Sequence, residues 1–332
     1  MKKTLLTLLL LFFSTNVQAR ENIRIVGSST VFPFVTIVAE DFKNNTGLPS
    51  PIVESTGTGA GVKLFCAGVG ENHPDIVNAS RKIKDTELAE CKKNGVKGIT
   101  EITIGYDGIV LANSLKAPTF KLTKEQLFLA VAKKVPQNNT LVDNFYKSWS
   151  DISPELPNIK ITVYGPPSTS GTRDAFEELL LEKACASFKE YATIKNSDER
   201  KSTCHQIRSD GAYIDSGEND NLIISKLVVN KNAFGIFGYS FLEENQDKIK
   251  AIALDGQNPT LENIQSFKYE LARSLLVYVK NQHVAKIKGL KEFVKELTLD
   301  ATLGNGGTLS KKGLIPLNAK TIKEVQSKAS KI

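Results

Sequence analysis

Ile23-Arg24-Ile25-Val26 runs into Gly27-Ser28-Ser29-Thr30; Pro51-Ile52-Val53-Glu54 runs into Gly57-Thr58-Gly59-Ala60-Gly61; and Ile159 to Tyr164 runs through Pro166-Pro167 into Ser168-Thr169-Ser170-Gly171-Thr172-Arg173. Each time an extended apolar run ends, small and hydroxyl residues follow, and a helical pattern begins. Such a junction leaves the first N–H groups of the helix without intrahelical partners and aims them beyond the strand. The helix dipole adds roughly half a positive charge at the same place. One junction would be a capped helix and no more. Three, each carrying hydroxyls and one ending in Arg173, point to a site for a multi-oxygen anion.

Outward from these loops the pattern is strand, loop, helix, repeated. The segment from Val31 to Asn44 carries Phe34, Ile37, Val38 and Phe42 at helical spacing, with Pro33 suited to a first turn and Gly47 beyond the end. A helix over Val62–Ala67 follows the second loop. A strand over Asp75–Ser80 ends at Ser80-Arg81, and the helix Asp85–Asn94 closes at Gly95. Ile99–Ile104 and Tyr106–Ala112 read as strands. Thr123-Lys124-Glu125-Gln126 is a capping box, and Asp174–Ala184 is a helix. The polar stretch Lys195–Asn221 reads as surface loop, Ala233–Tyr239 and Leu271–Val279 as strands, and Val284–Leu297 as a helix. The fold class is therefore α/β, with mostly parallel sheets covered by helices. No repeat or linker divides the chain, so two domains would be nested, with crossings near 105–108 and 270–274.

The chain has 332 residues, 41% of them hydrophobic and 24% charged, values of a water-soluble globular protein. Lys2 and Lys3, the apolar stretch Leu5 to Phe13 and Val17-Gln18-Ala19 form a cleavable export signal over residues 1–19. Export places Cys66, Cys91, Cys185 and Cys204 in an oxidising compartment. Of the three pairings, the local one is expected: Cys66–Cys91 with Cys185–Cys204. A zinc site lacks its C-x-x-C spacing. The formal charge of +7 is mild, and its Lys residues are scattered without interleaved aromatics, so nucleic acid is not a partner.

Ser28-Ser29-Thr30 and Thr58-Gly59 could each simply cap a helix. Arg81, directly after Ser80, and Arg173, directly after Thr172, weigh against that reading. Arg173 opposes the dipole at a helix start unless an anion, or Asp174, Glu177 or Glu178, offsets it. Gly57 to Lys63 is neither a P-loop nor a dinucleotide fingerprint, so no nucleotide cofactor is expected. His73, His205 and His283 lie in polar contexts and read as surface residues without metal-ligand spacing. No G-x-S-x-G elbow is present, and Ser170 lacks a neighbouring base, so an enzyme is not expected.

Gly27-Ser-Ser-Thr-Val-Phe-Pro33, Ala79-Ser80-Arg81, Ser168-Thr-Ser-Gly-Thr-Arg-Asp174 and Ala233-Phe-Gly-Ile-Phe-Gly-Tyr-Ser240 together resemble the periplasmic phosphate-binding proteins of phosphate ABC transporters, in the branch with Ser-Gly-Thr-Arg-Asp. The resemblance implies a two-lobed type II periplasmic-binding-protein fold, with mixed sheets flanked by helices. Lobe I would span 20–106 and 273–332, and lobe II 107–272. Phosphate would sit between them on Ser29, Thr30, Val31, Thr58, Gly59, Ser80, Arg81, Ser170, Gly171, Thr172 and Arg173. The protein would be a periplasmic monomer handing phosphate to a membrane permease, with no cofactor or metal. Arg81 stands where the best-known members have Asp as acceptor for the phosphate proton, and Pro166 where they have Arg. Asp107 and Asp174 are the acceptors available by position. A receptor for sulfate or molybdate and an exported phosphatase are the alternative readings. On this reading Arg173→Ala and Thr172→Ala each weaken phosphate binding tenfold or more; wild-type affinity by calorimetry would remove them from the site.

Overall fold

The computed structural model describes Arg20 and residues 22–332 apart from 169, 218 and 219, so the expected export signal over 1–19 and Thr169 lie outside the described residues. The strands in chain order are β1 Arg24–Gly27, β2 Ile52–Ser55, β3 Ile76–Ala79, β4 Ile99–Ser114, β5 Lys121–Leu122, β6 Lys134–Gln137, β7 Thr140–Asp143, β8 Val163–Gly165, β9 Tyr213–Asp215, β10 Phe234–Gly238, β11 Ile249–Ala251, β12 Ala253–Leu254 and β13 Ala272–Lys280. The main sheet runs β2-β1-β3-β13-β4-β10-β8-β9, with β11 also on β4. β1, β2 and β3 are mutually parallel, as are β8, β9 and β10. β13 runs antiparallel to both β3 and β4, and β10 antiparallel to β4.

These directions decide where the loops meet. β4 runs the same way as β3, because both oppose β13; β10 and β8 run against β4. The C-terminal ends of β1–β3 and those of β8–β10 therefore point at one another along β4. β3 ends at Ala79, which reaches Thr103 of β4 through Leu276, and β10 ends at Gly238 opposite Ile109. Only residues 104–108 separate the two sets of strand ends. Ligands of open α/β sheets sit outside the carboxyl ends of strands, and here two such edges face each other.

Strand alternation explains the two faces. Ile25, Ile76 and Val277 point into one cluster, and Val26, Val77, Ala79, Leu276 and Tyr278 into the other. The helix Phe32–Thr46 packs Val35, Val38, Ala39 and Phe42 on the first face; the helix Thr58–Phe65 packs Val62 and Phe65 on the second. Burying both faces is what the near-continuous apolar strands require. Around β10, Phe234 meets Phe120 and Trp149 at centroid distances of 4.7 and 4.6 Å.

Several expectations are corrected. The second helix starts at Thr58 rather than Val62, so the Gly-rich loop is itself the first turn. This turn lies against the first loop: a Cβ at Gly61 would stand 2.5 Å from Gly27 Cα. The strand expectations 99–104 and 106–112 merge into the single strand β4, which carries through the crossing. The stretch 195–221 is not a loop. It holds the helix Ser197–Cys204, capped by Asn196, and the edge strand β9. That helix buries only Cys204, so its sequence has no apolar stripe to read. The helix expected over 284–297 is two pieces, Asn281–Val284 and Leu290–Leu297, parted at Gly289. Cys66 pairs with Cys91 and Cys185 with Cys204. Among the described residues no helix is long and apolar enough to cross a membrane.

The histidine reading also needs correction. His283 is 1% exposed and bonds the fully buried carboxylate of Asp75 at 2.6 Å. Gly70 N–H donates to its Nε2 at 2.9 Å, which leaves Nδ1 as the donor to Asp75. Arg20 closes an ion pair on the same carboxylate, and the Arg24 amide donates to it at 2.8 Å. His205 is half-buried between Glu177 and Glu182. Beside Asp75, Lys280 is wholly buried, donating to Gly68 O at 2.6 Å, with its ammonium 4.8 Å above the Phe65 ring. Burial pushes the Lys280 ammonium down from 10.5 to about 8, against the pull of Asp75. A folded value below the unfolded one means that stability is gained as pH rises from the first towards the second. Urea unfolding between about pH 8 and about pH 10 should therefore show wild type gaining on the order of 2 kcal/mol relative to Lys280→Met. Parallel pH profiles for the two proteins would disprove the shift.

Candidate functional site

The first loop follows β1 and leads into the helix Phe32–Thr46, whose N-cap Val31 makes no side-chain cap bond. Ser28 is buried, and its Oγ accepts from the Val31 amide at 3.4 Å. The hydroxyls of Ser29 and Thr30 are thus not spent on capping. Ser29 Oγ donates to Asp174 Oδ2 at 2.7 Å, and Thr30 Oγ1 donates to Gly171 O at 3.3 Å. Both partners belong to the third loop, more than 140 residues away. The approach is close enough that a Cβ on Gly171 would lie 2.9 Å from Thr30 Cα. Gly171 is the residue that lets the two loops touch.

The second loop joins the end of β3. Thr58 Oγ1 and Ser80 Oγ lie 3.1 Å apart, both buried, and the Ser80 amide donates to Thr58 Oγ1 at 3.2 Å. The helix Thr58–Phe65 has no side-chain cap. A Cβ on Gly59 would be 3.9 Å from Arg81 Nη2, which places that guanidinium beside the exposed first turn. Arg81 makes a bidentate pair with Glu87 at 2.9 and 2.8 Å. This pair raises the guanidinium and holds the Glu87 carboxyl below its ordinary range.

In the third loop Ser170 caps its helix by accepting from the Thr172 amide at 3.2 Å. Arg173 is 8% exposed and turns back into its own half: onto Glu177 at 2.7 Å, Pro166 O at 3.2 Å and the Tyr213 ring at 5.2 Å. Asp215 stands 3.6 Å away. Burial alone would raise the Glu177 carboxyl, but His205 and Arg173 together bring it below its ordinary range. Glu177 begins a π-helical stretch, Glu177–Leu181, inside the run 171–185. π-Bulges gather at functional sites because they re-aim side chains. Here Glu177 serves Arg173, and the next residue, Glu178, reaches across to Arg273.

Arg273 is the residue that the sequence reading missed. It lies on β13 opposite Asp107, is 6% exposed, and uses each nitrogen differently. Nε donates to Asp107 at 3.2 Å, Nη1 to Glu178 at 3.0 Å, and Nη2 to Thr30 Oγ1 at 2.9 Å. One guanidinium thereby ties both crossings, the first loop and the third-loop helix. Its signal was present in the sequence: a cation inside the apolar run Leu271–Val279, at an expected crossing. A charge is kept in such a run only with partners.

The structure thus brings Ser29, Thr30, Gly171, Asp174 and Asp107 into one network around Arg273, and Thr58, Gly59, Ser80 and Arg81 into an adjoining one. Arg81 and Arg173 are neighbours of these networks but spend their guanidiniums on Glu87 and Glu177. Across the region three guanidiniums, Arg81, Arg173 and Arg273, stand against Glu87, Asp107, Asp174, Glu177, Glu178 and Asp215. The fixed charge is negative, so an anion held here depends on N–H and O–H donors more than on net charge.

Comparison with known proteins bears on this geometry. A family model described as a PBP superfamily domain matches residues 14–301. Protein SphX of Synechococcus elongatus is 32% identical over 301 residues, covering 89% of this chain and 77% of that protein. Phosphate-binding protein PstS of Staphylococcus epidermidis is 31% identical over 275 residues, covering 81% and 72%. The crystal structure of a possible phosphate binding protein from Planctomyces limnophilus superposes with a TM-score of 0.74 at 28% identity, covering 93% of this chain and 98% of that one.

Removing Arg273 leaves Asp107 and Glu178 facing each other without their cation. A fully buried pair broken this way loses about 3–5 kcal/mol; Asp107 and Glu178 are 19% and 36% exposed, so Arg273→Met should lose about 2 kcal/mol. Glu178→Gln should lose less than half of that. Urea unfolding of the two variants checks the order, and R273M as stable as wild type would deny the network any share in folding.

Proposed function

The chain belongs to the PBP superfamily, and we propose that within it the protein is an extracytoplasmic receptor that captures inorganic phosphate and delivers it to an ABC importer. The observation that carries this reading is the meeting of the Ser29-Thr30 loop and the Gly171 loop over Arg273, at the crossing where both sets of strand ends converge. The relatives named phosphate-binding proteins support it. The two lobes are 20–106 with 273–332, and 107–272, hinged at β4 and β13.

Phosphate enters between the loops while the lobes are apart. The amides at Ser29, Thr30, Thr58, Gly59 and Gly171, with the hydroxyls of Ser29, Thr30, Thr58, Ser80, Ser170 and Thr172, supply its donors, while the Val31 and Thr172 amides stay on Ser28 and Ser170. Arg81, Arg173 and Arg273 form the cationic rim, already offset by carboxylates. Ser29 and Thr30 exchange their present bonds to Asp174 and Gly171 for bonds to the oxyanion, which then joins the lobes in their place. Charge-assisted hydrogen bonds contribute roughly 1.5–3 kcal/mol each, and micromolar affinity requires about 8 kcal/mol net. A set of this size reaches that after desolvation and closure.

The surplus of carboxylates supports a means of telling phosphate from sulfate despite Arg81. A hydrogen phosphate carries a proton that it can donate to Asp174, Asp107 or Glu178. Sulfate at neutral pH carries none, and meets those carboxylates as a like charge. The acceptor that relatives place after the strand is here supplied from across the cleft.

Capture ends at binding and not at catalysis. Ser170 Oγ is engaged as a helix cap, and His205 is held between two glutamates of the third-loop helix. The closed protein, a periplasmic monomer, docks on a membrane permease. Calorimetric titration of the exported form should give phosphate affinity near micromolar or tighter, unchanged by excess sulfate, and no turnover of a chromogenic phosphate ester. No heat with phosphate would sink the reading; displacement by sulfate would favour a general oxyanion receptor.

A further inference from the structure

The helix that starts at Gly171 changes its winding after Phe176. Glu177–Leu181 is π-helical, and the Glu182 amide donates to Glu177 O, an i→i+5 bond. In a regular α-helix, residues five apart diverge by about 140°. The wider turn instead brings Glu182 over Glu177, so that one ring can touch both. That ring is His205: Nδ1 lies 3.4 Å from Glu177 Oε2, and Nε2 lies 3.3 Å from Glu182 Oε2. Its neighbour Cys204 holds it there, because the bond to Cys185 fastens the end of the helix Ser197–Cys204 to the end of the third-loop helix.

A neutral imidazole has one donor nitrogen and one acceptor nitrogen. It can satisfy one of these carboxylates and must turn a lone pair on the other. Only the charged ring donates to both. Glu177 is the shared member of the set. Its Oε1 accepts from Arg173 Nε at 2.7 Å, while its Oε2 faces His205. Glu182 already has a second cation, Lys201 of the helix Ser197–Cys204, at 3.2 Å. Asp215 stands beyond Arg173, 3.6 Å from its Nη1. Lys133, whose amide donates to Gln206 O, is exposed. A proton on His205 therefore acts first on Glu177, and through it on Arg173.

We infer that His205 is a positioning residue for anion capture, acting through Glu177 on Arg173. When the ring takes up a proton, Glu177 is shared between two cations, and the Arg173 guanidinium beside Thr172 loses part of its compensation. The third loop then becomes more positive and holds an anion more tightly. When the ring is neutral, Glu177 belongs to Arg173 and the loop attracts an anion least. Linkage makes the effect mutual: an anion at the third loop favours the protonated ring by the same factor. The effect on affinity rests on the phosphate reading above, whereas the relay from His205 to Arg173 does not.

The test compares the exported form with His205→Gln, which keeps a hydrogen-bonding side chain but cannot titrate; His205→Asn takes its place should the Gln variant not fold. Without phosphate, the NMR signal of the Arg173 Nε–H group should move between about pH 5.5 and about pH 8 in wild type and stay fixed in H205Q. A signal that stays fixed in both proteins, or moves alike in both, overturns the relay whether or not phosphate binds. Calorimetric phosphate titrations over the same range then test capture. Phosphate changes its own charge equally in both experiments, so the ratio of the two affinities isolates His205. Wild type should bind about threefold or more tighter than H205Q at the acid end and equally at the alkaline end. A ratio that does not change with pH overturns the role in capture alone. No phosphate heat in either protein removes the phosphate reading and the role in capture with it, while the NMR result still decides the relay.

Discussion

The arrangement of the site depends on one guanidinium. Arg273 stands where β13 and β4 cross between the two halves of the sheet, almost wholly buried, and donates to Asp107, Glu178 and Thr30 from three nitrogens. A cation in that position could not persist alone in an apolar strand. Its partners come from β4, from the third-loop helix and from the first loop. The planar fork of arginine fixes all three directions at once, which an ammonium could not do. The electrostatic demand of a single buried charge thereby sets the relative placement of loops that share no local sequence.

Around that centre the loops are left with donors to spare. The helices after the first two loops begin without side-chain caps, although Ser and Thr are the residues best suited to supply them. Ser29 and Thr30 reach the opposite loop instead, and Thr58 is paired with Ser80. Capping forgone in this way has a local cost of about 1 kcal/mol per helix, and is the kind of local inconsistency that marks functional positions. The carboxylates work in the opposite sense. Glu87 and Glu177 absorb the charges of Arg81 and Arg173, so the region stays electrically moderate while keeping its directional donors.

The rest of the fold serves to hold strand ends in place. The Asp75 carboxylate gathers Arg20, the Arg24 amide and His283 at the opposite end of the first half, anchoring β1 and β3 to the segment after β13. The Cys66–Cys91 bond joins the second-loop helix to the helix after Arg81. The other bond ties the third-loop helix to the polar helix Ser197–Cys204. Each loop with a role in the site is thus backed by a covalent or buried ionic tie.

By itself the sequence determined the βα units and the three loops, and it favoured the cysteine pairing that the structure shows. These are short-range properties: apolar period, glycine and hydroxyl placement, and, for the cysteines, the oxidising compartment expected from the N-terminal pattern. It could not show that the stretch 195–221 contains a helix and an edge strand, because that helix buries little apolar surface and leaves no period to read. Nor could it show which carboxylate meets which arginine. Arg273 and Asp107 are 166 residues apart and become partners only through the register of β13 on β4. Arg173, legible as a free cation at a helix start, is turned inward by Glu177 and Tyr213. Charge pairing is decided by three-dimensional proximity, and proximity at this site is set by antiparallel register and by the close approach that Gly171 permits. The loops were written in the chain; their meeting over Arg273 was decided by the tertiary structure.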